Sequence, residues 1–199
     1  VNGLSIEQAS AKIKSKLGAT IYKAVKSGQT RVQISLGKIR SIRVTVIGES
    51  KKPGTYTVSS LTTVFNLLYL CGGPSDLGSY RKIELIRGNQ LKRTIDLYAF
   101  LTKGDQKDNV LLQEGDVVRI PYYKTRVTLN GNVKNKGKYE LVDGETFDEV
   151  LQFSGGFADD AYKAAVTIYQ LTDTQRRITD LLKNQYGTYK PMSSDSIVV

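Results

Sequence analysis

The chain of 199 residues contains its own near-copy, and that repeat limits the fold more than any other feature of the sequence. Arg43-Val-Thr-Val-Ile-Gly48 reappears 83 residues later as Arg126-Val-Thr-Leu-Asn-Gly131. At that offset Gly54 meets Gly137, Tyr56 meets Tyr139, Thr63 meets Thr146, Leu68 meets Leu151, and Gly72-Gly73 meets Gly155-Gly156. Over residues 43–73, 11 of 31 positions are identical without a gap, so a shared fold is the economical explanation. Further on, Ile83 and Leu85 meet Val166 and Ile168. Ile95-Asp96-Leu97 is matched to Ile178-Thr179-Asp180-Leu181 with one extra residue, and Gly115-Asp116-Val117-Val118 to Ser194-Asp195-Ser196-Ile197. Two copies at this spacing predict tandem domains, because solenoids repeat at shorter periods and in more copies.

Each copy reads locally as a small α+β unit. Ile42–Ile47 alternates and is β-branched, which predicts a strand. Lys51-Lys52-Pro53-Gly54 predicts a turn, with Pro fixing φ and Gly accepting a positive φ. Thr55–Val58 then returns as a second strand. Leu61, Val64, Leu67, Leu68 and Cys71 fall on one helical stripe, and Gly72-Gly73-Pro74 ends it. Ile83–Ile86 predicts a third strand, Ile95–Leu101 a short helical or irregular segment, and Val117–Ile120 a last strand closed by Pro121. Hairpin, helix, strand, short helix, strand is a β-grasp order, with one helix buried against a small mixed sheet. The second copy replaces the Lys-Pro-Gly turn with Asn135-Lys136-Gly137, and Asp143-Gly144-Glu-Thr-Phe147 is expected to give its helix a cleaner N-cap.

Residues 1–40 are different. They hold eight of the 29 basic residues and one of the 19 acidic ones, so most of the net charge of +10 belongs to them. The rest of the chain is nearly balanced. Ser5-Ile6-Glu7-Gln8 is a capping box, Ile6, Ala9, Ile13 and Leu17 form an apolar stripe, and Val32, Ile34 and Leu36 alternate as a strand. One helix and one strand are too little to fold alone, so this piece is expected to pack on a neighbour. Its only aromatic residue is Tyr22, which argues against a nucleic-acid partner, since single strands need basic residues beside stacking rings. The start at Val1 suggests a processed or truncated piece. With no His and one Cys, the chain lacks a Ser-His-Asp triad, an imidazole metal ligand and an internal disulfide; no enzyme activity, metal or cofactor is expected.

Arg43-Val-Thr-Val-Ile-Gly48-Glu49-Ser-Lys-Lys-Pro53-Gly54-Thr-Tyr56 resembles the opening of the soluble-ligand-binding β-grasp (SLBB) domain. The apolar helix ending in Gly72-Gly73 and the late Gly115-Asp116-Val117-Val118-Arg-Ile-Pro121 are similar to that domain as well. The second copy lacks the Pro and the Glu of the first motif. Two such domains behind Gly3–Leu17 and Val32–Leu36 resemble the outer-membrane polysaccharide export family. The resemblance implies an α+β chain of three parts: a helix-strand, C-terminal fragment of an export-signature domain at 1–40, a first ubiquitin-like SLBB β-grasp domain at 41–122, and a second at 123–199. It implies a subunit of a capsule or exopolysaccharide export channel in the periplasm and outer membrane of a Gram-negative bacterium. The implied partners are polysaccharide, identical subunits in a ring, and an inner-membrane polymerase and chain-length regulator, with membrane contact only through segments outside this chain. A lipid-bearing Cys would precede the chain; Cys71, on the helix stripe, is no substitute. The alternative is a β-grasp module binding a small soluble ligand or carbohydrate.

Gly48, Pro53, Gly54, Tyr56, Gly72, Gly73, Gly115, Asp116, Gly131, Gly137, Tyr139, Gly155 and Gly156 are read as fold-motif residues set by backbone geometry. Glu49, Lys51 and Lys52 are candidates for a pore lining or subunit contact, against the plainer reading of a solvated turn. Asp159-Asp160 falls short of a calcium loop, which needs more oxygens at fixed spacing. Tyr122-Tyr123 is expected to pack in the seam between the units.

Overall fold

The computed structural model describes residues 5–20, 30, 32–34, 39–172 and 174–199. The chain divides into two compact units, Val1–Arg40 and Ser41–Val199.

In the first unit, α1 spans Ile6–Thr20. The capping box forms: Gln8 N–H donates to Ser5 Oγ at 3.2 Å, and Ser5 N–H donates to Gln8 Oε1 at 3.1 Å. Ala9, Ile13 and Leu17 are half-buried, whereas Lys12, Lys14 and Lys16 are exposed. The strand expected at Val32, Ile34 and Leu36 is not present at 32–34, where the backbone is irregular; Leu36, Tyr22 and four of the eight basic residues lie outside the described residues. A strand exists only as a partner in a ladder, and sequence alternation supplies no partner.

The second unit holds two sheets of identical topology. In the first repeat β1 (Ser41–Gly48), β2 (Gly54–Ser59), β3 (Ile83–Arg87), β4 (Gln90–Ile95) and β5 (Val117–Ile120) order as β2-β1-β5-β3-β4. In the second, β6 (Thr125–Asn130), β7 (Gly137–Leu141), β8 (Ala165–Leu171), β9 (Arg176–Leu182) and β10 (Ser196–Val198) order as β7-β6-β10-β8-β9. β1 runs parallel to β5, as β6 does to β10, and the other pairs are antiparallel. Parallel neighbours need a crossover, which contains α2 (Val64–Leu70) in the first repeat and α4 (Phe147–Phe153) in the second. A short α3 (Leu97–Lys103) follows β4, and a single 3₁₀ turn, Lys183–Gln185, stands in its place after β9. This is the tandem β-grasp architecture the residues predict.

One face of each sheet and its helix close a separate core. Val44, Val46, Leu67, Ile83, Leu85, Val118 and Ile120 are buried in the first repeat. Val127, Leu129, Phe147, Val150, Ile168 and Ile197 fill the second. Each such side chain contributes roughly 1.5–3 kcal/mol on burial. Truncating Leu67 to Ala would cost about 2–5 kcal/mol, since this α2 side chain is fully buried in the first core.

Gly48 and Gly131 mark the same close approach. At φ 81° and 83°, a Cβ would lie 2.3 Å from the Ile120 carbonyl oxygen and 2.1 Å from that of Val199, so the first and last strands meet only over a glycine. Gly115 and Ser194 occupy the same turn at φ 79° and 74°, which makes Ser194 one of two non-glycine residues with a positive φ among the described residues.

Three expectations need correction. β4 and β9 are strands that sequence reading left out, because each buries a single side chain, Ile95 or Leu181, and so lacks apolar alternation. Both are charged sheet edges, a common guard against unwanted pairing. Ile83 pairs with Ile95 and Val166 with Leu181, so Leu181, not Ile178, is the partner of Ile95 in the repeat. Leu61 precedes α2 and is 62% exposed; Thr63 caps that helix by accepting from Asn66 N–H. The cap of α4 falls inside the expected run, at Thr146, with which Glu149 completes a capping box.

Candidate functional site

The place where the second unit concentrates buried polar chemistry is the joint between its repeats. The segment leading into β3 supplies Ser79 and Arg81, and the start of α3 supplies Asp96 and Tyr98. Facing them are Glu140 on β7, Glu145 in the turn before α4, and Phe153 at its end.

Arg81 is the centre. Its side chain is 7% exposed, and its Nε donates to Asp96 at 2.8 Å while its terminal nitrogens donate to both oxygens of Glu145 at 2.9 and 3.0 Å. Its guanidinium lies over the rings of Tyr98 and Phe153, at 4.8 and 5.1 Å from their centroids. Burial opposes its charge, but the hydrogen bonds it donates to Glu145 and Asp96 outweigh that cost and raise its pKa above the ordinary arginine value. Glu140 is equally engaged: its oxygens accept from Ser79 Oγ at 2.5 Å and Tyr80 N–H at 2.6 Å, and its own N–H donates to Tyr98 OH at 2.9 Å. Burial pushes the Tyr98 phenol up, keeping it neutral. Among the described residues no buried side-chain nitrogen or oxygen lacks a partner. A fully satisfied network of this kind fixes one orientation, since any slippage strands a buried charge.

Arg126 adds a second clasp. It donates to the carbonyls of Asp76 and, at 3.0 Å, Gly78 of the first repeat, with its guanidinium 3.8 Å over the Tyr123 ring. Tyr122, expected in the seam, is instead 66% exposed. Beside this clasp lies an open cleft of about 390 Å³ lined by Tyr80, Tyr98, Leu101, Arg126 and Lys138. A neighbouring apolar groove of about 240 Å³ on the first repeat shares Tyr80 and Leu101 with it and includes Gly72 and Gly73.

The residues singled out from sequence sit apart from the joint. Gly48, Gly54, Gly72, Gly73, Gly115, Gly131, Gly155 and Gly156 have positive φ; Gly137 does not. Pro53 and Gly54 lead into β2, and the Tyr56 hydroxyl donates back to the Lys52 carbonyl at 2.6 Å. Tyr139 repeats that bond to Asn135 at 2.7 Å. Lys51 N–H donates to Gly73, tying hairpin to helix end. Glu49 accepts from Ser75 Oγ at 3.0 Å, while the side chains of Lys51 and Lys52 are exposed. Asp159 and Asp160 are exposed, and no group of three acidic, Cys or His ligands occurs among the described residues. No described helix is long and apolar enough to cross a membrane.

Sequence reading missed the joint residues. A signal existed: at the repeat offset, Arg81 faces Ala164, and Glu140 and Glu145 face Thr57 and Thr62, so opposite charges arise in different copies.

The SLBB domain model matches residues 43–96 and 126–179, covering more than half of the chain. The polysialic acid transport protein KpsD of Escherichia coli is 28% identical over 142 residues, which cover 71% of this chain and 24% of that protein. The EPS I polysaccharide export outer membrane protein EpsA of Ralstonia nicotianae is 29% identical over 148 residues, covering 72% and 38%. The chain therefore spans well under half the length of these relatives.

Proposed function

Because the chain belongs to the SLBB domain family, we propose that it is the periplasmic part of a subunit that exports capsular or extracellular polysaccharide across the outer membrane of a Gram-negative bacterium. It works as a structural conduit and performs no chemistry. The observation that carries this reading is the locked joint: two β-grasp domains held in one orientation by Arg81 between Asp96 and Glu145 make a rigid strut, which a passage wall needs and a catalyst does not. The relatives that cover most of the chain are named for polysaccharide transport and export.

In this reading residues 41–122 and 123–199 are the two SLBB domains, and 1–40 is the end of an export-signature domain. Identical subunits form a ring that meets an inner-membrane polymerase and chain-length regulator. Glu49, Lys51 and Lys52, at the turn of the first hairpin, line the passage or a subunit contact. The remaining motif residues hold turns. Deleting the gene should abolish surface polysaccharide while polymer accumulates inside the cell; a deletion strain with normal capsule overturns the proposal.

A second reading rests on the cleft beside Arg126, where Tyr80, Tyr98, Lys138 and Arg126 offer two rings and two cations. It makes the chain a carbohydrate- or small-ligand-binding module. Calorimetry against acidic and neutral oligosaccharides tests it, and saturable binding lost in Lys138→Ala would favour it.

A further inference from the structure

The apolar groove on the first repeat exceeds what the fold needs. Its walls are Phe65, Leu68 and Tyr69 of α2 and Leu97, Phe100 and Leu101 of α3. Phe65 and Phe100 pack with ring centroids 4.5 Å apart and tie the two helices together. Tyr69 and Leu101 are 74% and 62% exposed, so the groove opens to solvent. The second repeat builds a hollow at the same place, about 360 Å³ beside Gly155-Gly156, with Asp148 and Gln152 where the first has Phe65 and Tyr69. Its crossover helix and glycine turn are retained. The β-grasp unit therefore closes with polar walls at this position. Exposed apolar walls that the sister copy does without mark a binding surface.

The groove adjoins charge. Through Tyr80 and Leu101 it shares its wall with the cleft beside the joint, which Lys138 and Arg126 also line. Arg126 is bonded to the carbonyls of Asp76 and Gly78, which orient its guanidinium without neutralising it. Among the described residues the Lys138 side chain and the Tyr80 hydroxyl have no hydrogen-bond or ion-pair partner. Lys138 stands on β7 opposite Thr128 of β6, so a sheet and not a loop carries it. Asp76 is the one acid that lines the cleft, and the Glu140 oxygens nearby are engaged by Ser79 and Tyr80 N–H. About 240 Å³ of apolar groove thus borders about 390 Å³ of polar cleft that holds two cations and a free hydroxyl.

We propose that groove and cleft together bind a single-chain amphiphile with an anionic head, of which an alkyl phosphate is the simplest. The chain lies in the groove between Tyr69 and Leu101, and the head meets Lys138 and Tyr80. An ammonium and a phenolic O–H both donate to a phosphate oxygen. Chain burial supplies most of the affinity, roughly fourfold for each buried methylene. The head contributes less, because Lys138 is exposed, but it fixes which way the chain points. A free phosphate would leave the groove empty, and a neutral chain would leave Lys138 unanswered. The groove walls are helix side chains with no strand edge, so an extended peptide finds no backbone to pair with. The proposal rests on the ligand-binding reading of the cleft and extends it to the groove.

Calorimetry of the full chain with decyl phosphate, kept below the concentration at which it forms micelles, tests this. The expected result is one saturable site per chain. Octyl phosphate, shorter by two methylenes, should bind roughly tenfold more weakly, and inorganic phosphate should give no heat. Tyr69→Gln, which copies the second repeat, and Leu101→Gln should each weaken decyl phosphate about fivefold or more. Both sites are exposed, so circular dichroism should be unchanged. Lys138→Ala should lower decyl phosphate to the affinity of neutral decyl glucoside and leave the glucoside itself unaffected. Asp76→Asn should tighten decyl phosphate about twofold by removing a like charge. Absence of saturable binding overturns the inference, and a groove filled by another part of this chain or by a second copy would give that result. Affinity indifferent to chain length overturns it too, as does binding that both glutamine variants leave intact. Saturable oligosaccharide binding without decyl phosphate binding would keep the ligand-binding reading and overturn this inference alone.

Discussion

The two repeats share strand order and the turns at Gly48 and Gly131, at Gly72-Gly73 and Gly155-Gly156, and before the last strand, and differ in how they neutralise what they bury. Asp116 and Asp195 hold the same turn, accepting from the backbone N–H three residues earlier, Gln113 in one and Met192 in the other, at 2.8 and 2.9 Å. In the first repeat the buried carboxylate is paired with Arg87 at 2.7 Å. In the second, Gln170 stands at the position of Arg87, and the carboxylate is held by the Tyr189 hydroxyl at 2.9 Å and the Gln170 amide. At this turn the first repeat thus uses a cation where the second uses a hydroxyl and an amide, and at the joint the buried guanidinium of Arg81 comes from the first repeat and Glu145 from the second. Backbone geometry admits few solutions and stays the same between copies. Charge can be moved from one copy to its neighbour provided that each buried ion is answered somewhere, and Arg81 is answered across the joint.

That contrast breaks most sharply at Arg81. Arg81→Met leaves Asp96 and Glu145 without their cation and should cost about 3–5 kcal/mol, the usual penalty for stranding a buried partner. Denaturant unfolding should then show two transitions, where the wild type should show one, since the repeats have separate cores and lose what couples them. A single transition with an unchanged midpoint would mean that the joint contributes nothing. Next comes the buried carboxylate. Tyr189→Phe removes one donor to Asp195 and should cost about 1–3 kcal/mol, read from the urea midpoint. Arg87→Gln copies the second repeat into the first but should cost more. Val110 stands where Tyr189 does, so Asp116 would lose its cation without gaining a hydroxyl.

How far this contrast was legible in the sequence follows from the same physics. The shared part was open to reading. Arg43–Gly48 with Gly72-Gly73 and the late Asp turn report strands and turns whose backbone demands particular residues, and two copies doubled each signal. β4 and β9 were hidden because Gln90–Ile95 and Arg176–Leu182 pair through backbone and bury one side chain each. The joint was hidden because nothing in Arg81, Glu140 or Glu145 separates a buried ion from a solvated one until the fold brings residues 59 to 64 positions apart into contact. Only the mismatch in charge between copies pointed there. The segment holding Glu49, Lys51 and Lys52 is a turn in both sequence and structure, with Glu49 half-buried and bonded to Ser75.

A smaller effect sharpens the comparison at the turn before the last strand. Ser194 holds φ 74° where the first repeat has Gly115 at 79°, and a left-handed backbone costs a non-glycine residue about 1 kcal/mol or more. Ser194→Gly should therefore stabilise the second repeat by up to ~1 kcal/mol, less the entropy that glycine returns to the unfolded chain. The reciprocal Gly115→Ser should cost about the same. A Cβ there meets nothing within 4 Å, so the effect would be conformational alone. Thermal midpoints moving in the same direction for both variants would refute the equivalence of the two turns.

The smallest expected difference is one of pH. At the third position of the crossover helix the first repeat has Asn66, which does not titrate, and the second has Glu149. Bonds from the Thr146 hydroxyl, then from its N–H at 2.7 Å, hold the Glu149 carboxyl below its ordinary value of 4.5. A carboxyl depressed on folding stabilises when ionised. Its contribution is complete above the unfolded pKa and is lost as the pH falls through the folded one. The group is largely exposed, so the contribution is at most about 1 kcal/mol. Comparing urea midpoints between about pH 6 and pH 3, Glu149→Gln should lose less stability than the wild type on acidification, with the gap opening only below the unfolded pKa. Asn66→Glu should move the first repeat the other way, gaining the box and with it an acid sensitivity it now lacks. Parallel pH profiles for wild type and Glu149→Gln would show that the two helix caps are equivalent in energy despite their different chemistry.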